Sequence, residues 1–205
     1  MDDEHLKYRY SSDWTDKLEN QKHWNLYWHQ QRLIHNYIKP GNHLLEIGPG
    51  NGFTTNLLRN KGFQVTTLDI DENKKPDICA NIVEYQFTRN YDHILGFEIF
   101  EHIPFEEFLQ VLSKLNSVCN NYLFISLPLN VKIWLRFSLK TPRFQIRNFQ
   151  ITTIRNKILV QNHHWELDHY KTKRKKVEKE FNRLGFFIEK KQKVLNYYFY
   201  ILSAK

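Results

Sequence analysis

The stretch of sequence that decides the fold reads Leu44-Leu45-Glu46-Ile47-Gly48-Pro49-Gly50-Asn51-Gly52. The run from His43 to Ile47 predicts a short buried strand, and Phe53 to Asn60 after the glycines predicts a helix. Glycines permit backbone conformations and close approaches that a Cβ atom would block. The N-terminus of the following helix offers unpaired N–H groups to an anion. The stretch therefore predicts a ligand-binding turn at the edge of a parallel sheet.

Strand and helix patterns alternate on both sides of this turn. Residues 1–40 predict a helical leader, whose Trp24, Tyr27 and Trp28 we expect to pack on the core. The remaining predicted elements are strands at 64–70, 77–80, 92–97 and 122–127, helices opening at Pro104 and spanning 172–184, and antiparallel strands at 186–194 and 197–203. Strands separated by crossovers predict a doubly wound, Rossmann-like α/β fold. Its sheet has seven mostly parallel strands and ends in an antiparallel hairpin.

Composition limits the class of protein. The chain has 205 residues, of which 41% are hydrophobic and 15% aromatic, which indicates one folded domain. No apolar run approaches the roughly 18 to 20 residues of a membrane span, and the acidic start is unlike a signal peptide. We therefore expect a cytoplasmic protein. Cys79 and Cys119 are too far apart to indicate a disulfide framework or a multi-cysteine zinc site.

Positive charge is concentrated in the last third of the chain. The formal net charge is +8, and residues 131–205 hold 18 Lys and Arg against 5 Asp and Glu. An anionic partner would be attracted to this part. The basic run at 171–176 could contact nucleic acid, but such runs are usually the solvated face of a helix.

The glycine pattern excludes two common nucleotide sites. Its spacing is G-x-G-x-G, and Phe53 stands where a dinucleotide fingerprint has its third glycine, which argues against a dehydrogenase. No string matches a P-loop. Asp69 ends the second predicted strand, 21 positions after Gly48, where an acidic side chain can accept hydrogen bonds from both ribose hydroxyls. These features predict a nucleoside with free 2′ and 3′ hydroxyls.

The sequence resembles the class I S-adenosylmethionine-dependent methyltransferases, of the small-molecule, type 11-like kind. Residues 44–52 are similar to the family's first motif, 67–70 to its second, and 91–103 to its fourth-strand segment. The resemblance spans about residues 43–128 and implies S-adenosylmethionine as the cofactor. It also implies a division into a leader at 1–40, a cofactor-binding half at 41–128, a basic and aromatic insertion at 129–165, and a last helix and hairpin at 166–205.

The resemblance implies a role for individual residues around the cofactor. Glu46 would bind its amino group and Asp69 its ribose, while adenine would lie between Ile70 and Ile82. Asn81 stands where relatives usually have an Asp against the adenine amino group, and its amide oxygen can still accept that bond. The other implied cofactor-binding residues are Gly48, Gly50, Asn51 and Gly52 at the methionine end, with Gly96 or Phe97 offering a backbone carbonyl.

Two histidines are candidate catalytic bases. His102 follows the fourth strand and either accepts a proton at the mouth of the site or only packs the turn before Pro104. In the string from His163 to His169, the spacing of His164 and His169 does not fit a helical zinc motif, so we expect no metal. The resemblance instead implies that His164 is a base and that Trp165 forms a wall of the acceptor pocket.

The insertion interleaves aromatic and basic residues, which could cover an anionic substrate. We predict that it is a substrate lid, with Arg136 and Arg143 as substrate-binding residues. The predicted function is methyl transfer to an oxygen or nitrogen of a small molecule. Two alternatives stay open: an RNA methyltransferase and a non-catalytic S-adenosylmethionine-binding subunit. The absence of an Asn-Pro-Pro-Tyr type tetrad after the fourth strand argues against the first alternative.

Overall fold

The structure is a computed structural model that describes residues 20–141, 145–158, 160 and 162–205, without the side chains of 138–140 and 145–148. The helices are α1 (Gln21–Ile34), α2 (Phe53–Asn60), α3 (Phe105–Val118) and α4 (Arg174–Arg183). The strands are β1 (His43–Ile47), β2 (Gln64–Asp69), β3 (Ile78–Cys79), β4 (Tyr91–Phe97), β5 (Cys119–Pro128), β6 (Val131–Lys140), β7 (Gln145–Ile154), β8 (Phe186–Val194) and β9 (Tyr197–Ala204).

Seven strands form one sheet in the order β3-β2-β1-β4-β5-β9-β8. The first five pair in parallel, and β9 pairs antiparallel with both β5 and β8. This arrangement confirms the predicted fold class. The strand order reverses between β1 and β4, so the carboxyl ends of these two strands form the crevice where ligands bind in such sheets.

Helices cover both faces of the sheet, which explains why its central strands are almost continuously apolar. On one face, the core contains Leu26 and Ile34 of α1 and Leu58 of α2. On the other face, it contains residues of α3 and α4, such as Phe108 and Phe181. Among the described helices, none is long and apolar enough to cross a membrane.

The leader helix packs less completely than the sequence predicted. Leu26, Leu33 and Ile34 of α1 are buried, but Trp24 is 48% exposed and Trp28 is 53% exposed. The prediction that these two tryptophans pack on the core is therefore wrong in large part. Residues 1–19 of the predicted leader lie outside the described residues.

The insertion contains a hairpin that the sequence analysis did not predict. Strands β6 and β7 pair antiparallel as a separate two-stranded sheet. Trp134, Phe137 and Phe149 are exposed on it, and the Lys132 Nζ atom lies 3.9 Å from the centre of the Trp134 ring. These described side chains are thus displayed on a ribbon outside the main sheet.

Candidate active site

Two adjoining cavities occupy the crevice at the carboxyl ends of β1, β2 and β4. The larger has a volume of about 510 Å³ and the smaller about 80 Å³. Both are lined by Gly48, Lys74, Ile99 and His102, so they are two parts of one site. The volume of the larger part lies within the usual range for small-molecule pockets, about 300 to 1,000 Å³.

The glycine turn lies where the two cavities adjoin, because Gly48 lines both of them. Gly48 has a φ of +68°, and a Cβ atom there would lie 2.8 Å from Cδ1 of Ile99. Its N–H donates to the carbonyl of Leu68 on the neighbouring strand, at 2.9 Å. The turn therefore requires glycine for both its conformation and its close approach to Ile99.

The rest of the turn is fixed by contacts to α1 and α2. Gly50 and Gly52 also have positive φ values, +58° and +76°, and Gly52 is the N-cap of α2. The side-chain oxygen of Asn51 accepts a hydrogen bond from the N–H of Phe53 at 3.1 Å and from the hydroxyl of Tyr27 at 3.3 Å. The leader helix thus helps to hold the predicted methionine-binding loop.

Glu46 lies at the end of β1 and lines the large cavity. It is 5% exposed, and its carboxylate accepts a hydrogen bond from the hydroxyl of Thr55. Burial raises the pKa of Glu46 to about 7, because the charged form loses water. A cationic ligand group in the cavity would favour the charged form.

Asp69 lies at the end of β2, on the small cavity. Its Oδ1 atom accepts from the N–H of Asp71 at 2.9 Å, and its Oδ2 atom lies 3.1 Å from Nζ of Lys74. A ribose bound to Asp69 would therefore compete with Lys74 for one carboxylate oxygen. At about 80 Å³ the small cavity is narrow for a nucleoside.

The other residues predicted around adenine line the small cavity together. These are Ile70, Asn81 and Ile82. The amide oxygen of Asn81 already accepts a hydrogen bond from the N–H of Val83 at 3.0 Å, and a carbonyl oxygen can accept a second one.

The two residues predicted to offer a backbone carbonyl differ in position. Phe97 lines the large cavity, but Gly96 lies within β4 and is not on the wall of either cavity. A Cβ atom on Gly96 would lie 2.6 Å from the ring of Phe100, so this glycine makes room for a buried aromatic side chain.

The wall of the large cavity contains functional candidates that the sequence analysis missed. They are Tyr27, Glu98, Glu101, His163 and Tyr197. Glu98 and Glu101 are acidic residues that directly follow an apolar strand, and this pattern could have identified them. No spacing rule relates them to Tyr27, His163 or Tyr197, because the fold brings these residues in from other elements.

His102 lies on the wall of both cavities. Its Nδ1 atom donates a hydrogen bond to the carbonyl of Asn162 at 2.9 Å. Burial lowers the pKa of His102 to about 4, so the ring is neutral near pH 7. A neutral imidazole can accept a proton or bind a metal.

The structure corrects the prediction for His164 and Trp165. His164 is exposed and lines neither cavity, whereas its neighbour His163 lines the large one. Trp165 is 2% exposed and packs on Phe105 and Phe108. Its Nε1–H donates to the carbonyl of Phe100 at 3.1 Å, so it is a core residue and does not form a wall of the pocket. Its large apolar ring is better buried than placed at a wet surface.

Of the two predicted lid residues, only Arg136 is among the residues that the structure describes. Arg136 lies on β6, where its guanidinium donates to the side-chain oxygen of Asn196 at 3.1 Å, and it lines neither cavity. Arg143 lies outside the described residues. Among the described residues of the insertion, Val160, Asn162 and His163 line the large cavity.

Solved structures with the same fold include several methyltransferases. The 1,6-didemethyltoxoflavin-N1-methyltransferase of Burkholderia thailandensis, solved with its substrate and S-adenosylhomocysteine, is 12% identical with a TM-score of 0.68, and the match covers 98% of this chain and 88% of the other. The magnesium protoporphyrin IX methyltransferase of Synechocystis PCC 6803, solved with S-adenosylmethionine, is 18% identical with a TM-score of 0.60, covering 99% and 96%.

A third similar structure is an S-adenosylmethionine-dependent methyltransferase from Clostridium acetobutylicum. It is 13% identical with a TM-score of 0.56, covering 90% of this chain and 92% of the other. At these identities the likeness concerns the fold. No curated protein matches the sequence significantly.

The sequence also matches a protein family described as a methyltransferase domain, over residues 13–193. This range contains the glycine turn, the crevice and the last helix. Because the match covers most of the chain, the protein belongs to this methyltransferase-domain family.

Proposed function

We propose that this protein transfers the methyl group of S-adenosylmethionine to an oxygen or nitrogen nucleophile of a small molecule. The observation that carries the proposal is that Glu46, the glycine turn and Asp69 line one crevice at the switch point of the sheet. Each lies on a different strand end or turn, and the sequence resemblance implies that all three bind the cofactor.

The residues in the crevice fit this cofactor chemically. Glu46 is a buried acid beside the large cavity, suited to a cationic amino group. Asp69 would accept hydrogen bonds from the ribose, and the apolar Ile70 and Ile82 would contact adenine. Gly48 leaves room that a Cβ atom would fill. When bound, S-adenosylmethionine supplies a methyl group on a positively charged sulfur, which is an electrophile.

The large cavity would hold the acceptor next to the sulfur-bound methyl group of the cofactor. Its wall combines aromatic rings, which exclude water, with a few polar groups that orient a ligand. Lys22 and Lys74 also line it, which suits an acceptor that carries negative charge. His102 on the same wall is the candidate proton acceptor for an acceptor hydroxyl, and its burial, which lowers its pKa to about 4, makes it a weak base.

The similar structures support a small-molecule acceptor. Two of the similar enzymes are named for 1,6-didemethyltoxoflavin and magnesium protoporphyrin IX, and both compounds are small molecules. The RNA alternative would use the basic hairpin, whose described residues Trp134 and Arg136 lie outside both cavities. Steep salt dependence of RNA binding would distinguish it, because phosphate contacts release counterions.

A transfer assay with S-adenosylmethionine tritiated in its methyl group tests the proposal. The protein is incubated separately with metabolite, RNA and protein fractions of its native cell. Incorporation of label into the metabolite fraction is expected. Label only in the RNA or protein fraction contradicts the small-molecule acceptor, and binding of the cofactor without label in any fraction indicates a non-catalytic subunit.

A further inference from the structure

The wall of the large cavity carries a group of metal-ligating side chains that the proposed cofactor site does not use. One potential ligand atom from each of Glu101, His102 and His163 lies within 4.8 Å of the other two. Metal–ligand distances of about 2.0 to 2.2 Å place the ligand atoms of one ion roughly 3 to 4 Å apart. Side-chain movements of about 1 Å would therefore bring these atoms around a single ion.

Glu101 gives an independent reason to expect a ligand at this place. It is 1% exposed, and its Oε2 atom finds no hydrogen-bond partner in the part of the chain that the structure describes. Two further acidic residues, Glu98 and Glu166, lie near it. An unpaired buried carboxyl oxygen costs free energy. A bound cation would satisfy that oxygen and balance the neighbouring acids.

The two histidines are oriented in the way that metal-binding histidines usually are. The Nδ1 atom of His102 must carry its proton, because the carbonyl of Asn162 can only accept, and Nε2 is then the basic nitrogen. The Nδ1 atom of His163 lies 2.8 Å from Oε1 of the buried Glu166. A carbonyl or carboxylate on one ring nitrogen fixes the tautomer and orientation of a histidine whose other nitrogen binds a metal.

We propose that Glu101, His102 and His163 bind a divalent transition-metal ion in the wall of the large cavity. Imidazole and carboxylate ligands together suit Mn²⁺, Fe²⁺, Co²⁺ or Zn²⁺, whereas Mg²⁺ and Ca²⁺ prefer ligands that are all oxygen. Glu98 lines the same cavity and offers a second carboxylate. Glu166 acts as a positioning residue for His163. This proposal departs from the sequence-based expectation that no metal is bound.

The proposed metal ion limits the kinds of acceptor molecule that the large cavity would bind, and this inference rests on the proposed function. A metal in the acceptor cavity would bind a hydroxyl oxygen and lower its pKa, with the proton passing to water. An acceptor with a second oxygen beside the first, such as a 1,2-diol, a catechol or a 2-hydroxy acid, would chelate the ion. In this arrangement His102 is a metal ligand and no longer the proton acceptor.

Titration of the metal-free, full-length protein with Mn²⁺ tests the site without any cofactor or acceptor. The electron paramagnetic resonance signal of free Mn²⁺ measures the unbound ion. One saturable ion per chain is expected. Glu101→Gln and His163→Gln should each weaken binding by at least about ten-fold, and Glu166→Gln by roughly 10- to 100-fold as an orienting partner. Glutamine at position 101 resembles the protonated acid, so this variant should keep the fold.

His169→Gln is the matched control, since His169 lies in the same segment but outside the cluster; its Mn²⁺ affinity should equal that of the wild type. Absence of saturable binding, or an affinity unchanged in both Glu101→Gln and His163→Gln, overturns the metal site.

An S-adenosylmethionine titration on the same preparation separates the metal site from the proposed function. Mn²⁺ binding without cofactor binding contradicts only the proposed function, and cofactor binding without Mn²⁺ binding contradicts only the metal site.

Discussion

Glu46 carries the charge that the proposed cofactor's amino group requires, and its burial makes that charge depend on pH. The carboxyl group is 5% exposed, and desolvation raises its pKa to about 7. At pH 7 the free protein is therefore near the midpoint of this titration. Only the ionised form pairs with a cationic amino group, so binding of S-adenosylmethionine should be linked to loss of a proton.

The affinity for S-adenosylmethionine should fall as the pH is lowered from 7 to 5.5, by roughly ten-fold, because Glu46 must lose a proton before it can pair. Over this range an α-amino group stays mostly protonated, since its usual pKa is about 7.7 to 8.0. Calorimetry at the two pH values measures the change. In Glu46→Gln the affinity should be weaker and nearly independent of pH. An equally steep pH dependence in that variant would assign the proton to another group.

Gly96 has a packing role that is separate from ligand binding. In Gly96→Ala, the new Cβ atom would meet the Phe100 ring at 2.6 Å. Overpacking of this kind costs about 1 to 3 kcal/mol, which lowers the Tm of a chain of this size by roughly 2 to 12 °C. Thermal unfolding measures the shift. If Phe100→Leu is added to Gly96→Ala, the smaller side chain should leave room for the new Cβ atom, and the loss of Tm caused by the alanine should become smaller. If the Tm losses of the two single substitutions simply add in the double variant, overpacking against Phe100 is not the cause.

At the level of elements, the leader helix α1 contacts the glycine turn through Tyr27. The ring of Tyr27 stacks on Phe53 with the ring centres 4.7 Å apart, and its hydroxyl donates to Asn51. Trp28 is the next residue, but it is half exposed and its ring contacts His29 within the same helix. The helix therefore places Tyr27 in the wall of the large cavity and its neighbour Trp28 outside both cavities.

Tyr27→Ala should weaken S-adenosylmethionine binding by roughly 2- to 10-fold, because it removes a hydrogen bond worth about 0.5 to 1.5 kcal/mol that orders the glycine turn. Trp28→Ala is the matched control and should leave the affinity within two-fold of the wild type. Calorimetry of the two variants at one pH provides the comparison. Equal losses in both would mean that α1 acts only through general stability.

The sequence predicted the elements that have a strong local pattern. Strand β1 and helix α2 have the predicted bounds, because an apolar run, three glycines and an amphipathic run mark them. The crossover after β2 is a short 3-10 turn at Glu72–Lys74. The sequence analysis did not predict strands β6 and β7. Every second residue from Val131 to Leu139 is apolar, which is typical of a strand, but the basic and aromatic composition of this segment does not by itself indicate one.

At the scale of the whole molecule, local sequence patterns predicted the residues that we propose for the cofactor. They did not predict the residues in the part of the large cavity that we propose for the acceptor. Glu46 and Asp69 each follow a strand, so the rule for parallel sheets brings them together. Glu101 and His163 are 62 positions apart and meet only because the chain returns to the crevice after the hairpin. Trp165 and His164 were misassigned because a short string does not show which of its side chains is buried.

The central claim is that the crevice binds S-adenosylmethionine, and calorimetric titration of this compound into wild type and Asp69→Ala tests it most directly. The wild type should bind one molecule per chain, and Asp69→Ala should bind at least about ten-fold more weakly with an unchanged fold, since it loses charge-assisted hydrogen bonds to the ribose. Arg136→Ala, outside both cavities, should bind like the wild type. Absence of binding to the wild type, or an unchanged affinity in Asp69→Ala, would contradict the account.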